Sequence, residues 1–418
     1  MLPGVSIPPV GNSLRDARIR CGLTQAQAGA RTGYSASAIS RIELGARIEI
    51  TTLLRLANCY DVTLNDLGLG TVGKGSDKAE RDRDIVRRQF LTLAGLTVPL
   101  RALAALDDAL VVLPPTNRPV SCRDVTHGLA TGRVLFDKDQ HGQLVTALPD
   151  VLATAHQYIA TTDRPLAWAP VASCYVLATH ILSKLGRLPS SMVAADRGIH
   201  SARKTESPIA IATATCVLSM VLCNDDRAVL AQQITLDAID AIQKAGLTSL
   251  EERIVLVQML CSAAYAAAQA GERDRALELT SEADRAMRKL PARPDQPATP
   301  LNVTALTPAQ VQLYKVKMHC ALGDSAAALH AARGLHPTQF PTTERRGRMF
   351  TDVACAWWLH GHPDKAAQAL IAAYQQAPGE VVDRPTIRTL AANLISHHHQ
   401  GPGLHRLRAL LMPPHRTA

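Results

Sequence analysis

Residues 23–47 read LTQAQAGARTGYSASAISRIELGAR, and the punctuation of this stretch decides the fold around it. Thr24-Gln25-Ala26-Gln27 has the form of a capping box, in which the Thr24 hydroxyl and the Gln27 amide satisfy amides left open at a helix start. The helix begun there is predicted to run to Thr32, and Gly33 permits the turn that follows. Ser35 then caps a further helix, predicted over 36–44 and closed by Gly45. Working outward, Ser13 caps a helix predicted over 14–21 that ends at Gly22, while 51–59 and 64–67 complete five short helices. Ile39, Ile42, Leu53, Leu54 and Leu56 fall at core spacing. Two short helices across a tight glycine turn form a helix-turn-helix unit.

Taken with LLRLANCYDVTLNDL (53–67), the stretch resembles the phage Cro and repressor (xenobiotic-response-element) helix-turn-helix family. The motifs that carry the likeness are Leu23-Thr24-Gln25, Gly33, Ile39-Ser40-Arg41-Ile42-Glu43, Gly45 and Leu64-Asn65-Asp66-Leu67. The resemblance implies that the third helix enters the major groove of double-stranded DNA. Ala36, Ser37 and Ser40 would then face base edges with Arg41 beside them, and Gln25 and Ser35 would touch phosphate or pin the two helices on the backbone. Arg47, after Gly45, joins the implied DNA contacts. There Ala46-Arg47-Ile48-Glu49 replaces the family's basic stretch and proline, and Glu49 would repel phosphate.

Arg41 is the one long side chain on this face able to grip guanine with two hydrogen bonds, which gives about 1–3 kcal/mol of discrimination. Its competing role is an ion pair with a carboxylate such as Glu43 or Asp66. So small a reading surface predicts a homodimer, with two heads on half-sites about 34 Å apart.

Gly68-Leu69-Gly70-Thr71-Val72-Gly73-Lys74-Gly75-Ser76 imitates a phosphate-binding loop. Such loops need a strand before and a helix directly after, and Gly75 stands where a magnesium-ligating hydroxyl belongs. The stretch is therefore expected to be a linker, leading to a solvated helix over 77–88. Arg87-Arg88-Gln89-Phe90-Leu91 before an apolar run imitates a twin-arginine export signal, but it follows a whole domain.

Beyond residue 120, alanine-rich helical patterns recur around turn residues. Gly271, Gly323 and Gly361, and more degenerately Gly186 and Asp226, have mostly small or apolar residues seven and four positions before and five and twelve after, with His319 the exception before Gly323. Ala264, Ala267, Ala276 and Ala283 around Gly271 show the pattern best, and AQAGERDRALEL (268–279) resembles the tetratricopeptide repeat. A generic helical array is the alternative. Residues 121–160 read as a further degenerate pair, 291–308 as a proline-rich insertion and 387–412 as a terminal cap. Such arrays present a concave surface lined by the first helix of each pair. By offset, His180, Gln258, Tyr265, Gln269, Gln310, Tyr314, Lys317, Arg348, Asp352 and Trp358 point into it, as candidates for gripping a peptide or small molecule.

The 418 residues are 47% apolar, 19% charged and 3% aromatic, which suits a large helical core and argues against stacking platforms for single-stranded nucleic acid. Of the net charge of +9, residues 1–90 supply 13 basic and 9 acidic side chains, so only +4 lies near the head. Nine cysteines without a C-x-x-C pair predict reduced thiols, a cytoplasmic setting and no disulfide framework. Cys216 and Cys223, two turns apart, read as buried core. The opening MLPGVSIPPVGNS lacks the features of a signal peptide, and 165–183 reads as a buried helix rather than a membrane span. His397-His398-His399 and His405 do not form a spaced ligand set, so no metal and no cofactor are expected. No nucleophile, zinc or carboxylate constellation predicts an enzyme.

The expected protein is all-α: a five-helix Cro/repressor-like head at 11–69, a linker and connecting helix at 70–119, and a tetratricopeptide-like α-solenoid at 120–418. This layout resembles that of the peptide-sensing regulators of Gram-positive bacteria. It also resembles a family of actinobacterial regulators that share a RRQFLTLAG-like segment after the head. The implied function is a bacterial transcriptional regulator that binds DNA as a homodimer and senses a peptide or small-molecule ligand. The alternative is a protein-protein interaction scaffold whose head is not a DNA reader.

Overall fold

A computed structural model describes residues 10–44, 50–62, 67, 98–114, 119–162, 164–291, 306–397 and 401–411. Residues 70–97 of the predicted 70–119 linker, 64–66 of the fifth head helix, Arg47, His398, His399 and 292–305 of the proline-rich insertion lie outside these, as do the side chain of Leu54 and the two imitation motifs. Among the described residues all regular structure is helical.

The head contains α1 (Val10–Arg20), α2 (Gln25–Thr32), α3 (Ala36–Glu43) and α4 (Ile50–Cys59). At α2 and α3 the capping follows the sequence: Thr24 and Gln27 form the box at α2, Gly33 takes φ 79° after it, and Ser35 accepts from the Ala38 amide at α3, whereas α1 begins at Val10 and takes the expected cap Ser13 into its interior. Leu14, Ile39, Ile42, Leu53, Leu56 and Tyr60 form the core between them. Gly11 and Gly29 let α1 and α2 approach neighbouring backbone, since a Cβ there would stand 2.5 Å from the Ile42 carbonyl and 2.4 Å from the Tyr34 carbonyl.

The next helix, α5 (Leu100–Ala109), belongs to the array rather than to a free connection. Leu103 and Leu106 are buried in the array's first core, and Asp107 is bonded to Arg187 and Ser190. Six helix pairs follow. They are α6 (Cys122–Asp137) with α7 (His141–Ala160), α8 (Trp168–Lys184) with α9 (Leu188–Arg203), and α10 (Pro208–Asn224) with α11 (Ala228–Lys244). After them come α12 (Leu250–Ala270) with α13 (Arg273–Arg288), α14 (Pro308–Ala321) with α15 (Ser325–Ala332), and α16 (Thr343–Leu359) with α17 (Pro363–Gln376). Short α18 (Pro378–Val382) leads to a closing pair, α19 (Pro385–His397) and α20 (Pro402–Leu411).

Every turn residue read from the sequence stands between the two helices of a pair with positive φ: Gly186 73°, Asp226 59°, Gly271 85°, Gly323 73° and Gly361 85°. The left-handed turn disfavours a Cβ, which is why glycine dominates there. Ala264, Ala267, Ala276 and Ala283 are all buried where α12 and α13 press together. Among the described residues two helical stretches are long and apolar enough to cross a membrane, Pro165–Lys184 and Leu250–Ala270, and both are mostly buried inside the array.

The array does not stay open. Its early helices meet its last ones, ringing the inner surface. Lys184 on α8 is bonded to Glu344 on α16 at 2.8 Å and to Glu380 on α18. His141 Nδ1 lies 2.7 Å from Asp383, and the Gly379 amide donates to Asp139 at 2.6 Å. Gly186 gives the room needed, since a Cβ there would stand 2.5 Å from the Pro385 ring. The concave surface expected from the sequence is thus drawn into a ring around a partly open cavity.

Candidate functional site

Two features concern function: the exposed edge where the pair turns line up, and the partly open cavity. The head lies across that edge, with α3 packed on α12 and α14.

Each contact of the head joins a residue of the helix-turn-helix unit, or of α1 beneath it, to a successive pair turn. Arg41 forms an ion pair with Asp226, the turn between α10 and α11. The Ser37 hydroxyl donates to the Gln269 carbonyl at 2.7 Å. Ser35 presses on Gly271, where a Cβ would stand 2.6 Å from the Ser35 Cβ. Gln25 sits over Gly323, where a Cβ would stand 2.3 Å from its Oε1. Arg15 on α1 lies 4.2 Å above the centre of the Trp358 ring and donates to the Trp358 carbonyl.

Of the residues implied as DNA contacts, Gln25, Ser35, Ser37 and Arg41 therefore face the array here, and Arg47 lies outside the described residues. Ser37 and Ser40 are buried and Ala36 is half-buried. Arg41 takes neither of the carboxylates expected for an ion pair. Glu43 is buried and engaged by Arg18 at 2.5 and 2.9 Å and by Gln25 at 2.7 Å, and Asp66 lies outside the described residues. No signal in the sequence pointed to Asp226 as the partner, because the pair spans 185 residues of separation.

The cavity, about 570 Å³, is walled by the first helices of the pairs. It brings together His180, Gln258, Tyr265 and Gln310, with Tyr314, Lys317, Arg348 and Asp352. Two predicted members lie elsewhere. Gln269 and Trp358 occupy the last turns of α12 and α16, which emerge at the turn edge, so they meet the head instead. Cys216 and Cys223 pack in the core as read from the sequence, and they also form part of the cavity wall. Burial pushes their thiols up to about 12 and about 11. All nine cysteines are unpaired.

Sequence reasoning missed Arg133, Lys184, Arg345 and Arg384 in the lining, because they enter from helix ends and from the ring closure rather than at the repeat offsets. Burial drives His180 down to about 3, so it is a neutral ring beside Phe136, centroid to centroid 6.0 Å. Burial, with Arg348 adding repulsion, lowers Lys317 to about 8.

Asp139, His141 and Glu380 have ligand atoms within 4.8 Å of one another, a spacing that suits a metal ion. The Glu380 oxygens, however, are engaged by Lys184 and by Arg384 at 2.8 Å. Their two positive charges already occupy the field a cation would need, so the cluster acts as a lock between α7 and α18.

Residues 14–67 match the helix-turn-helix family. No curated protein matches the chain in a sequence comparison. The matched stretch is a helix-turn-helix of the kind found in DNA-binding transcriptional regulators.

Proposed function

We propose that the chain is a ligand-responsive transcriptional regulator whose array restrains its own DNA reader. The observation that carries this reading is the docking of α3: Ser37 and Ser40 are buried, and Arg41 is paired with Asp226. A duplex and the array cannot occupy that face together. The head at 11–69 would bind double-stranded DNA only after leaving the turn edge. Gln25, Ser35, Ala36, Ser37, Ser40, Arg41 and Arg47 would then make the contacts. In this reading the tetratricopeptide-like array at 120–418 dimerises in the bacterial cytoplasm and senses a peptide or small molecule in its cavity.

The same docking favours a second reading, an interaction scaffold whose head is a permanent protein-binding element. Selection of bound duplexes from a random library by the full chain separates the two. A regulator enriches a two-half-site sequence, loses affinity steeply between about 50 and 200 mM salt, and loses preference at one base pair in Arg41→Ala. Failure to enrich any duplex at low salt, even when the docking is weakened by Asp226→Asn, would leave the scaffold.

A further inference from the structure

The cavity is polarised. Val176 and Leu177 of α8 with Val217 and Met220 of α10 supply an apolar wall. From the later helices come Lys317, Arg345, Arg348 and Arg384, and Arg133 and Lys184 complete six cations in the lining. Four carboxylates answer them. Asp137 takes Arg133, Asp352 takes Arg348, Glu344 takes Lys184, and Glu380 takes Lys184 and Arg384. Six cations against four carboxylates leave an excess of two.

The excess falls on Lys317 and Arg345. Among the described residues Lys317 has no carboxylate within ion-pair reach, and its ammonium rests 4.1 Å from the centre of the Tyr265 ring. Arg345 Nε lies 3.5 Å from Glu344 Oε2, the oxygen not taken by Lys184, without forming a hydrogen bond, so the buried Nε lacks a hydrogen-bond partner while Glu344 is shared with Lys184. A buried donor left unpaired is costly, and an arriving anion would satisfy it.

We propose that the cavity binds a small amphipathic anion, a carboxylate or phosphate headgroup on an apolar body, with Lys317 and Arg345 holding the charge. The volume is that of a small-molecule site rather than a groove for an extended chain. Lys317 and Arg345 are only partly exposed there, so the charge contacts are less screened than on an open surface.

The site also adjoins the docked head. Tyr265, beneath the Lys317 ammonium, accepts at 2.8 Å from the Gln269 side chain, and the Gln269 carbonyl receives Ser37. Cys223 in the wall stands three residues before Asp226, which holds Arg41. Occupancy and docking therefore share α10 and α12. The proposed effect on DNA rests on the regulator reading above; the anion site itself does not.

Titration calorimetry of the full chain with decanoate, decyl phosphate, decan-1-ol, acetate and inorganic phosphate tests the site. The expected result is binding of one or both charged ten-carbon compounds at least about ten-fold tighter than decan-1-ol or either small anion. The tighter of the two identifies the headgroup. Lys317→Met and Arg345→Met each weaken that binding about ten-fold, whereas Lys289→Met, on the exposed surface, leaves it unchanged. Equal binding of decan-1-ol, or unaltered affinity in both variants, overturns the assignment, and the ligand comparison needs no variant to fold. If the anion binds but operator affinity stays constant, the site stands and the sensing role fails. If DNA binding responds to cell extract while neither anion binds, the regulator reading stands and the anion site falls.

Discussion

The Ser37 hydroxyl reaches the Gln269 carbonyl across 232 residues of sequence, at 2.7 Å, and so ties α3 to the array. Four further contacts hold the same face, but the two array residues that can be altered without touching the head are Asp226 and Trp358. Asp226 has φ 59°, a conformation asparagine tolerates, so Asp226→Asn removes the charge with little backbone strain. Trp358→Leu removes the ring beneath Arg15. An exposed ion pair contributes at most about 1 kcal/mol and a desolvated cation–π contact about 2 kcal/mol. The double variant is therefore expected to bind duplex about ten-fold or more tightly than the parent, read by fluorescence anisotropy of the selected operator. Unchanged affinity would mean that the docked arrangement does not compete with DNA.

Within the head, Arg18 and Glu43 form a buried two-point ion pair, and Gln25 adds a third bond to the same carboxylate. Leu23 offers its carbonyl to Arg18 as well, at 2.7 Å. Removing one charge strands the other, at a cost of about 3–5 kcal/mol. Glu43→Leu should lower the urea midpoint of the head's unfolding by that order. Arg18→Met with Glu43→Leu should recover much of the loss, because no buried charge is then unpaired. Equal loss in the single and double variants would show that packing, not charge, sets the stability here.

The fold was legible because its signals are local. The Thr24 and Ser35 caps, and the glycine or aspartate at each pair turn, are decided within a few residues by backbone geometry. Eight of the ten groove residues reached the cavity because helical offset fixes which side a residue faces. Gln269 and Trp358 failed because the offset does not say where a helix rises out of the cavity wall. Ring closure through Lys184 and Glu380, and the Arg41–Asp226 pair, were invisible for a different reason. Charged partners almost 200 residues apart leave no periodic trace, and any arginine in the chain could have met any aspartate.

The lowered Lys317 gives the cavity a pH signature. Its neighbours are Tyr265 on α12, Cys223 on α10, Arg348 and Asp352 on α16, and Arg384 before α19. Burial keeps the Tyr265 phenol and the Cys223 thiol neutral beyond pH 10, and Arg348 stays charged. Lys317 is therefore the member of this group that titrates near pH 8, through loss of its positive charge. Decanoate remains ionised throughout the range. Its affinity should be constant below pH 7 and fall as pH rises through about 8, with a proton taken up on binding above that point. Stability moves the opposite way. The folded value lies below the unfolded 10.5, so folding becomes more favourable as pH rises from about 8 to 10.5. Calorimetry in buffers of different ionisation enthalpy reads the proton directly, and Lys317→Met should abolish it. A flat pH profile would place the charge contact elsewhere.

Gly271 and Gly361 separate turn strain from head docking. Both take φ 85° between the helices of a pair, so alanine at either strains the turn by about 1–2 kcal/mol. Their surroundings differ. A Cβ at Gly361 meets nothing within 4 Å, whereas one at Gly271 would stand 2.6 Å from the Ser35 Cβ. No real pair of carbons sits so close, and Ser35 cannot retreat without disturbing its cap on α3. Gly361→Ala should therefore lower the melting temperature and leave operator binding as it was. Gly271→Ala should lower it to a similar degree and also raise operator affinity several-fold, because the head is pushed from its seat. Limited proteolysis should release the head from the array faster in Gly271→Ala than in Gly361→Ala. Matching proteolysis and matching operator affinity in the two variants would show that the head does not depend on the Gly271 contact for its position.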